Sequence, residues 1–107
     1  MTRQPESRLS SKIMEACRAR GWFCWKNHGS EYMMAGLPDI IVCAEGYFIG
    51  LEAKVPSKRH NTSARQDYIH GKIRESGGGV EVVCSPQEAV AYIDALLAKK
   101  RQRLKRP

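Results

Sequence analysis

The chain has 107 residues, enough for one domain with a single core and too few for a second. Eighteen Lys and Arg against 11 Asp and Glu leave a formal charge of +7, which implies a polyanionic partner, nucleic acid ahead of an anionic membrane surface; no small-molecule substrate is expected. The longest apolar run, Ile40 to Ala44, falls far short of the roughly 20 residues that span a bilayer, and no signal-peptide block opens the sequence, so a soluble cytoplasmic protein of a bacterial or phage-infected cell is expected.

Pro5 suits the first turn of a helix, and Leu9, Ile13, Ala16 and Cys17 recur at helical spacing until Gly21. Trp22 to Trp25 suit a strand, His28 to Gly36 a polar, glycine-containing loop with a Met pair, and Pro38 the opening of a second strand. Asp39–Ala44 and Tyr47–Lys54 read as a hairpin about Glu45 and Gly46. Ser63-Ala-Arg-Gln66 is a capping-box sequence, so a second helix starts there, carries Ile69 and Ile73, and stops at Gly77-Gly78-Gly79. Val80 to Cys84 makes a fourth strand. Ser85-Pro86-Gln87-Glu88 offers an N-cap, a proline at the first helical position and a capping-box Glu, and Ala89, Val90, Ile93 and Leu97 then share a face. The order α-β-β-β-α-β-α predicts an α/β fold, a mixed sheet flanked by helices. Residues 1–98 form the domain and 99–107 a basic C-terminal tail that either extends the last helix or lies disordered.

The four cysteines and three histidines show no ligand spacing for zinc. The cysteines read as reduced core or near-core thiols, and the histidines lie in or beside polar stretches.

Antiparallel pairing about the Glu45-Gly46 turn sets Ala44 against Tyr47 and Asp39 against Glu52. Directly opposed carboxylates repel unless a cation lies between them. Side chains alternate along a strand, so Lys54 lies on the Glu52 face, one pleat further on. Oxygen donors of this kind suit Mg²⁺ or Mn²⁺, and the Lys54 ammonium is placed to orient a water and offset charge on a phosphate. The same residues also read as an ordinary charged pair at a strand end, with Asp39 capping a turn. One metal ion or two are equally compatible with the pattern.

Gly36-Leu37-Pro38-Asp39, Phe48-Ile49-Gly50-Leu51-Glu52-Ala53-Lys54-Val55-Pro56, Gln66 in the next helix and Gly79-Val80-Glu81-Val82-Val83 together resemble the VRR-NUC group, the virus-type replication-repair nucleases of the PD-(D/E)xK superfamily. The resemblance runs from Glu6 to about Pro86. It implies a restriction-endonuclease-like core in which Asp39, Glu52 and the Ala53 carbonyl hold the metal and Lys54 serves the nucleophilic water. It further implies site roles for Glu6 on the first helix and for Gln66. Periodicity agrees: Glu6 shares a face with Leu9, Ile13 and Cys17, and Gln66 with Ile69 and Ile73. Gln66 reads equally as a plain capping residue, and Glu6 as a solvated acid favoured by the helix dipole. Lys26 matches a basic position near the family's site, with an ordinary surface lysine as the alternative.

Lys58, Arg59 and Arg65, together with Lys99, Lys100 and Arg101 of the tail, are the candidate contacts to DNA phosphates, and nothing resembles a base-reading element. The activity expected is a metal-dependent DNA endonuclease with a branched, Holliday-junction-like substrate, in repair or phage DNA processing. Paired incisions need two sites, hence a homodimer. A non-catalytic basic nucleic-acid-binding module is the alternative. A nuclease centred on His28 or on His60-Asn61 lacks a second histidine at useful spacing.

Overall fold

Helix α1 runs from Pro5 to Ala19 and ends before Gly21, whose φ of 85° turns the chain into strand β1, Phe23–Lys26. The structure, a computed structural model, describes residues 5–105. Strands β2 (Ile40–Ala44) and β3 (Tyr47–Ala53) form the expected hairpin. Both turn residues, Glu45 at φ 52° and Gly46 at φ 83°, take left-handed conformations, as a two-residue turn matched to strand twist requires. A short 3₁₀ turn at Pro56–Lys58 leads to helix α2, Ala64–Glu75, followed by strand β4, Gly79–Val83, and helix α3, Pro86–Leu104.

The sheet order is β1-β2-β3-β4, antiparallel except for the parallel β3–β4 pair. A parallel pair needs a crossover, and α2 lies in it. Ala44 pairs with Tyr47 and Ile40 with Leu51, so the register continues to set Asp39 against Glu52. The predicted element order and mixed sheet are observed. Strand β1 lies one residue later than expected, and β2 begins at Ile40 rather than at Pro38 or Asp39.

Strand alternation divides the sheet into two faces. Cys24, Ile40, Val42, Ala44, Ile49, Leu51, Ala53 and Val83 are buried in one core with Ile13 and Cys17 of α1 and Ala89, Ile93 and Leu97 of α3. Burying the Ile, Val and Leu side chains among them contributes about 1.5–3 kcal/mol each. Glu52 has the opposite parity and lies on the other face, where α2 packs on β4. Phe23 and Trp25 of β1 stay exposed, their ring centroids 5.6 Å apart.

Both helix caps form where the sequence places them. Ser63 and Gln66 make the full reciprocal capping box of α2. At α3 the Ser85 hydroxyl accepts from the Glu88 amide, but the Glu88 carboxylate is drawn to Arg59 instead of completing a box, with contacts of 2.6 and 2.8 Å. A bidentate guanidinium pair is the stronger bond for that carboxylate.

Helix α3 crosses 98–99 without a break, so as far as Leu104 the basic tail is the last part of a helix; Arg106 and Pro107 lie outside the described residues. No helix among the described residues is long and apolar enough to cross a membrane. Cys17 and Cys24 are buried as expected. Cys43 is exposed, because alternation turns it to the same sheet face as Phe23 and Phe48.

Candidate active site

Asp39 stands at the mouth of the hairpin, held by neighbours on three sides. The Asn27 amide donates to the Asp39 carbonyl at 2.7 Å, and the Asn27 side-chain amide donates to the Pro38 carbonyl at 3.3 Å. Beneath this segment the Pro38 ring lies on Gly50, so closely that a Cβ at position 50 would come within 2.3 Å of it. Gly50 is therefore a glycine for want of space, and the contact fixes the backbone that carries Asp39.

The two acids are cross-linked through the main chain. The Asp39 amide donates to Glu52 Oε1 at 3.3 Å, and Asp39 Oδ2 accepts from the Ala53 amide at 3.2 Å. Glu52 Oε2 accepts from Gln66 Nε2 at 2.9 Å. Gln66 Oε1 meanwhile accepts from the Ser63 amide at 3.0 Å. Both roles open to Gln66 in the sequence are thus filled at once, one by each end of its amide.

Glu52 is only 1% exposed. Burial, and then the nearby Asp39 charge, push its carboxyl up to about 7, while the Lys54 ammonium pulls it back down. A carboxylate so placed gains from a cation, which removes both penalties. Asp39, Glu52 and the Ala53 carbonyl are all hard oxygen donors, a set that fits Mg²⁺ or Mn²⁺ and leaves room for water and phosphate oxygens. A cleft of about 240 Å³ lined by Asn27, His28, Met33, Gly36 and Leu37 opens onto Asp39. A larger groove, about 540 Å³, is lined by Met34, Phe48, Tyr68 and Ile73 among others and not by Asp39, Glu52 or Ala53.

Glu6 is half-buried in the first turn of α1, the helix that packs on the opposite sheet face. Among the described residues no three His, Cys, Asp or Glu side chains are grouped to hold a metal, so Glu6 does not join Asp39 and Glu52 in such a cluster. Lys26 has the parity of Cys24 and donates to Ser10 Oγ of α1 at 3.0 Å. Its ammonium is engaged on the α1 face.

The expected DNA contacts divide in the same way. Lys58 is exposed in the 3₁₀ turn that follows β3. Arg65 donates to the Ala35 carbonyl at 3.2 Å and stacks over Tyr68. Arg59 is committed to Glu88. Lys99 is exposed, whereas Lys100 donates to the Gly77 carbonyl at 3.0 Å and Arg101 is paired with Glu45. The last two contacts lie at the turn end of the hairpin, about 17 Å along β2 from Asp39 at 3.4 Å per residue. The basic end of α3 is therefore remote from the acids, not adjacent to them.

Two residues of the site escaped the sequence reading. Asn27 clamps the Pro38-Asp39 backbone, for which no sequence signal exists. His70 is 4% exposed, and its Nε2 stands 3.9 Å from Glu52 Oε1. Its signal was the i, i+4 spacing from Gln66, which puts both side chains on one face of α2.

The fold is that of an α/β domain, a mixed four-stranded sheet flanked by helices. A solved structure described as a VRR_NUC domain matches it with a TM-score of 0.64 and 28% sequence identity, over 83% of this chain and 94% of that one. By this likeness the chain has the fold of a VRR-NUC domain, a domain of nuclease type. No family model matches the sequence, and no curated protein does.

Proposed function

We propose that the chain is a Mg²⁺- or Mn²⁺-dependent DNA endonuclease that hydrolyses backbone phosphodiesters, with branched, Holliday-junction-like DNA as its substrate. The observation that carries this reading is the pair of bonds that ties Asp39 to Glu52 and to the Ala53 amide across the hairpin, with Lys54 two residues beyond Glu52. Asp39, Glu52 and the Ala53 carbonyl hold the metal, which when bound supplies Lewis-acid charge at the phosphate and acidifies water. Lys54 orients the attacking water and offsets negative charge on the phosphate oxygens. Gln66 keeps the Glu52 carboxylate in one orientation through its 2.9 Å bond. Lys58 and Arg65 contact flanking phosphates, so binding is insensitive to sequence and weakens steeply with salt.

One domain of this size has one site, and paired incisions across two strands need two, so the working form is a homodimer. The exposed Phe23 and Trp25 on edge strand β1 favour self-association there.

The test is a substrate panel of supercoiled, linear and four-way-junction DNA in Mg²⁺, in Mn²⁺ and in EDTA, beside Asp39→Asn and Lys54→Ala. Metal-dependent nicking by the wild type and its loss in both variants is the expected result. Nicking that persists in EDTA or in both variants overturns the mechanism, and binding without any nicking points to a non-catalytic nucleic-acid-binding module.

A further inference from the structure

His70 is a buried side chain with an unanswered hydrogen-bonding atom. Its Nε2 has no hydrogen-bond partner and stands 3.9 Å from Glu52 Oε1. Burying such an atom without a partner costs free energy, and native structures seldom leave one unexplained. One turn earlier on the same face of α2, Gln66 donates to the other oxygen of the same carboxylate. Two polar groups on one helix thus face the two oxygens of one buried acid.

The chemistry of the pair fixes the sense of the interaction. A neutral imidazole carries one N–H, on one or the other of its two nitrogens. With Glu52 ionised, as a bound cation requires, a proton on Nδ1 would leave the Nε2 lone pair facing a carboxylate oxygen, two acceptors with nothing between them. With the proton on Nε2, the contact becomes a charge-assisted donor, and a movement of about 1 Å brings it to hydrogen-bond length.

We propose that His70 is a positioning residue, whose Nε2–H holds Glu52 by Oε1 as Gln66 holds it by Oε2, fixing the carboxylate plane for a divalent cation. The inference rests on the metal-dependent reading of the site and adds a residue to it. A metal-ligating carboxylate is itself hydrogen-bonded, and losing such an outer partner costs roughly 10- to 100-fold in metal affinity.

The test uses the full chain and two readouts besides cleavage. Nitrogen-15 NMR of the imidazole in the Mg²⁺-saturated wild type, in which Glu52 is ionised, reports the tautomer directly. A proton on Nε2 is expected, and a proton on Nδ1 overturns the proposal without any variant. Calorimetric titration with Mn²⁺ then compares the wild type with His70→Gln, which keeps a donor near the Nε2 position, and with His70→Asn and His70→Met, which do not. Thermal unfolding of each runs alongside to report folding.

Affinity within about threefold of wild type for His70→Gln, with at least tenfold loss for the other two, is expected, taking the lower end of that range. Equal affinity in all four proteins overturns the role of His70 but leaves the nuclease reading intact, as does a His70→Gln no better than His70→Met. A wild type that binds no Mn²⁺ and nicks no DNA removes both. Were His70→Met to unfold, the comparison of Gln with Asn and the tautomer would still decide.

Discussion

Asp39 and Glu52 are each bonded to the other's strand: the Asp39 amide reaches the Glu52 carboxylate at 3.3 Å, and the Asp39 carboxylate reaches the Ala53 amide at 3.2 Å. Two acids that would separate in water are thereby kept adjacent, one of them fully buried. The arrangement is unfavourable for the anions alone, and its consequences are measurable.

Glu52 titrates near 7 in the fold against an ordinary 4.5. A raised carboxyl pKa means that the native state binds this proton more tightly than the unfolded chain. Its contribution is therefore complete below about 4.5 and is lost as pH rises through about 7. Without metal, wild type minus Glu52→Gln is expected to lose stability over that window, by on the order of 3 kcal/mol at most. Mg²⁺ favours the ionised form, so it should raise the wild-type Tm more at pH 8 than at about pH 5.5 and leave Glu52→Gln unmoved. Thermal unfolding at the two pH values, with Mg²⁺ and with EDTA, checks both signs.

Gln66 serves the helix cap and the site with different atoms, and the two functions separate by substitution. Gln66→Glu keeps an acceptor for the Ser63 amide but replaces the donor to Glu52 with a second carboxylate. Helix stability should hold near wild type while metal affinity and cleavage collapse. Ser63→Ala should do the reverse, costing about 1 kcal/mol of stability with little change in cleavage rate. Unfolding and single-turnover cleavage of both variants separate the two effects.

Gly50 carries no catalytic group, yet its substitution should reach the site. A methyl there meets the Pro38 ring at 2.3 Å, and the ring can retreat only by moving the backbone next to Asp39. Gly50→Ala is expected to cost about 1–3 kcal/mol, the range for overpacked positions. Its cleavage rate should fall further than that of an equally destabilised variant in the α1–α3 core, such as Leu97→Val. Rates measured well below both unfolding midpoints make the comparison.

Truncation after Ala98 should weaken DNA binding and flatten its salt dependence by fewer charges than the tail contains. Lys100 and Arg101 are already engaged with Gly77 and Glu45, which leaves Lys99 and Arg103 among the exposed cations. Cleavage at saturating DNA should persist, because the hairpin turn that these residues contact is remote from Asp39. Affinity measured across a salt series tests this, and an unchanged affinity counts against any role of the tail in holding DNA.

Local rules made much of this protein legible from its residues alone. The Glu45-Gly46 turn fixed the hairpin register, and register with alternation placed Asp39 opposite Glu52; Ser63 and Ser85 announced their helices by cap chemistry that operates within four residues. What only the tertiary structure decided was which distant groups meet. Glu88 left its capping role for Arg59, Lys26 turned to Ser10, α3 carried Lys100 and Arg101 to the far end of the hairpin, and α2 settled with His70 over Glu52. Strand and cap patterns repeat over a few residues and can be counted along the chain. The face of the sheet on which each helix lands depends instead on how all the apolar surfaces bury one another, and no short spacing encodes that.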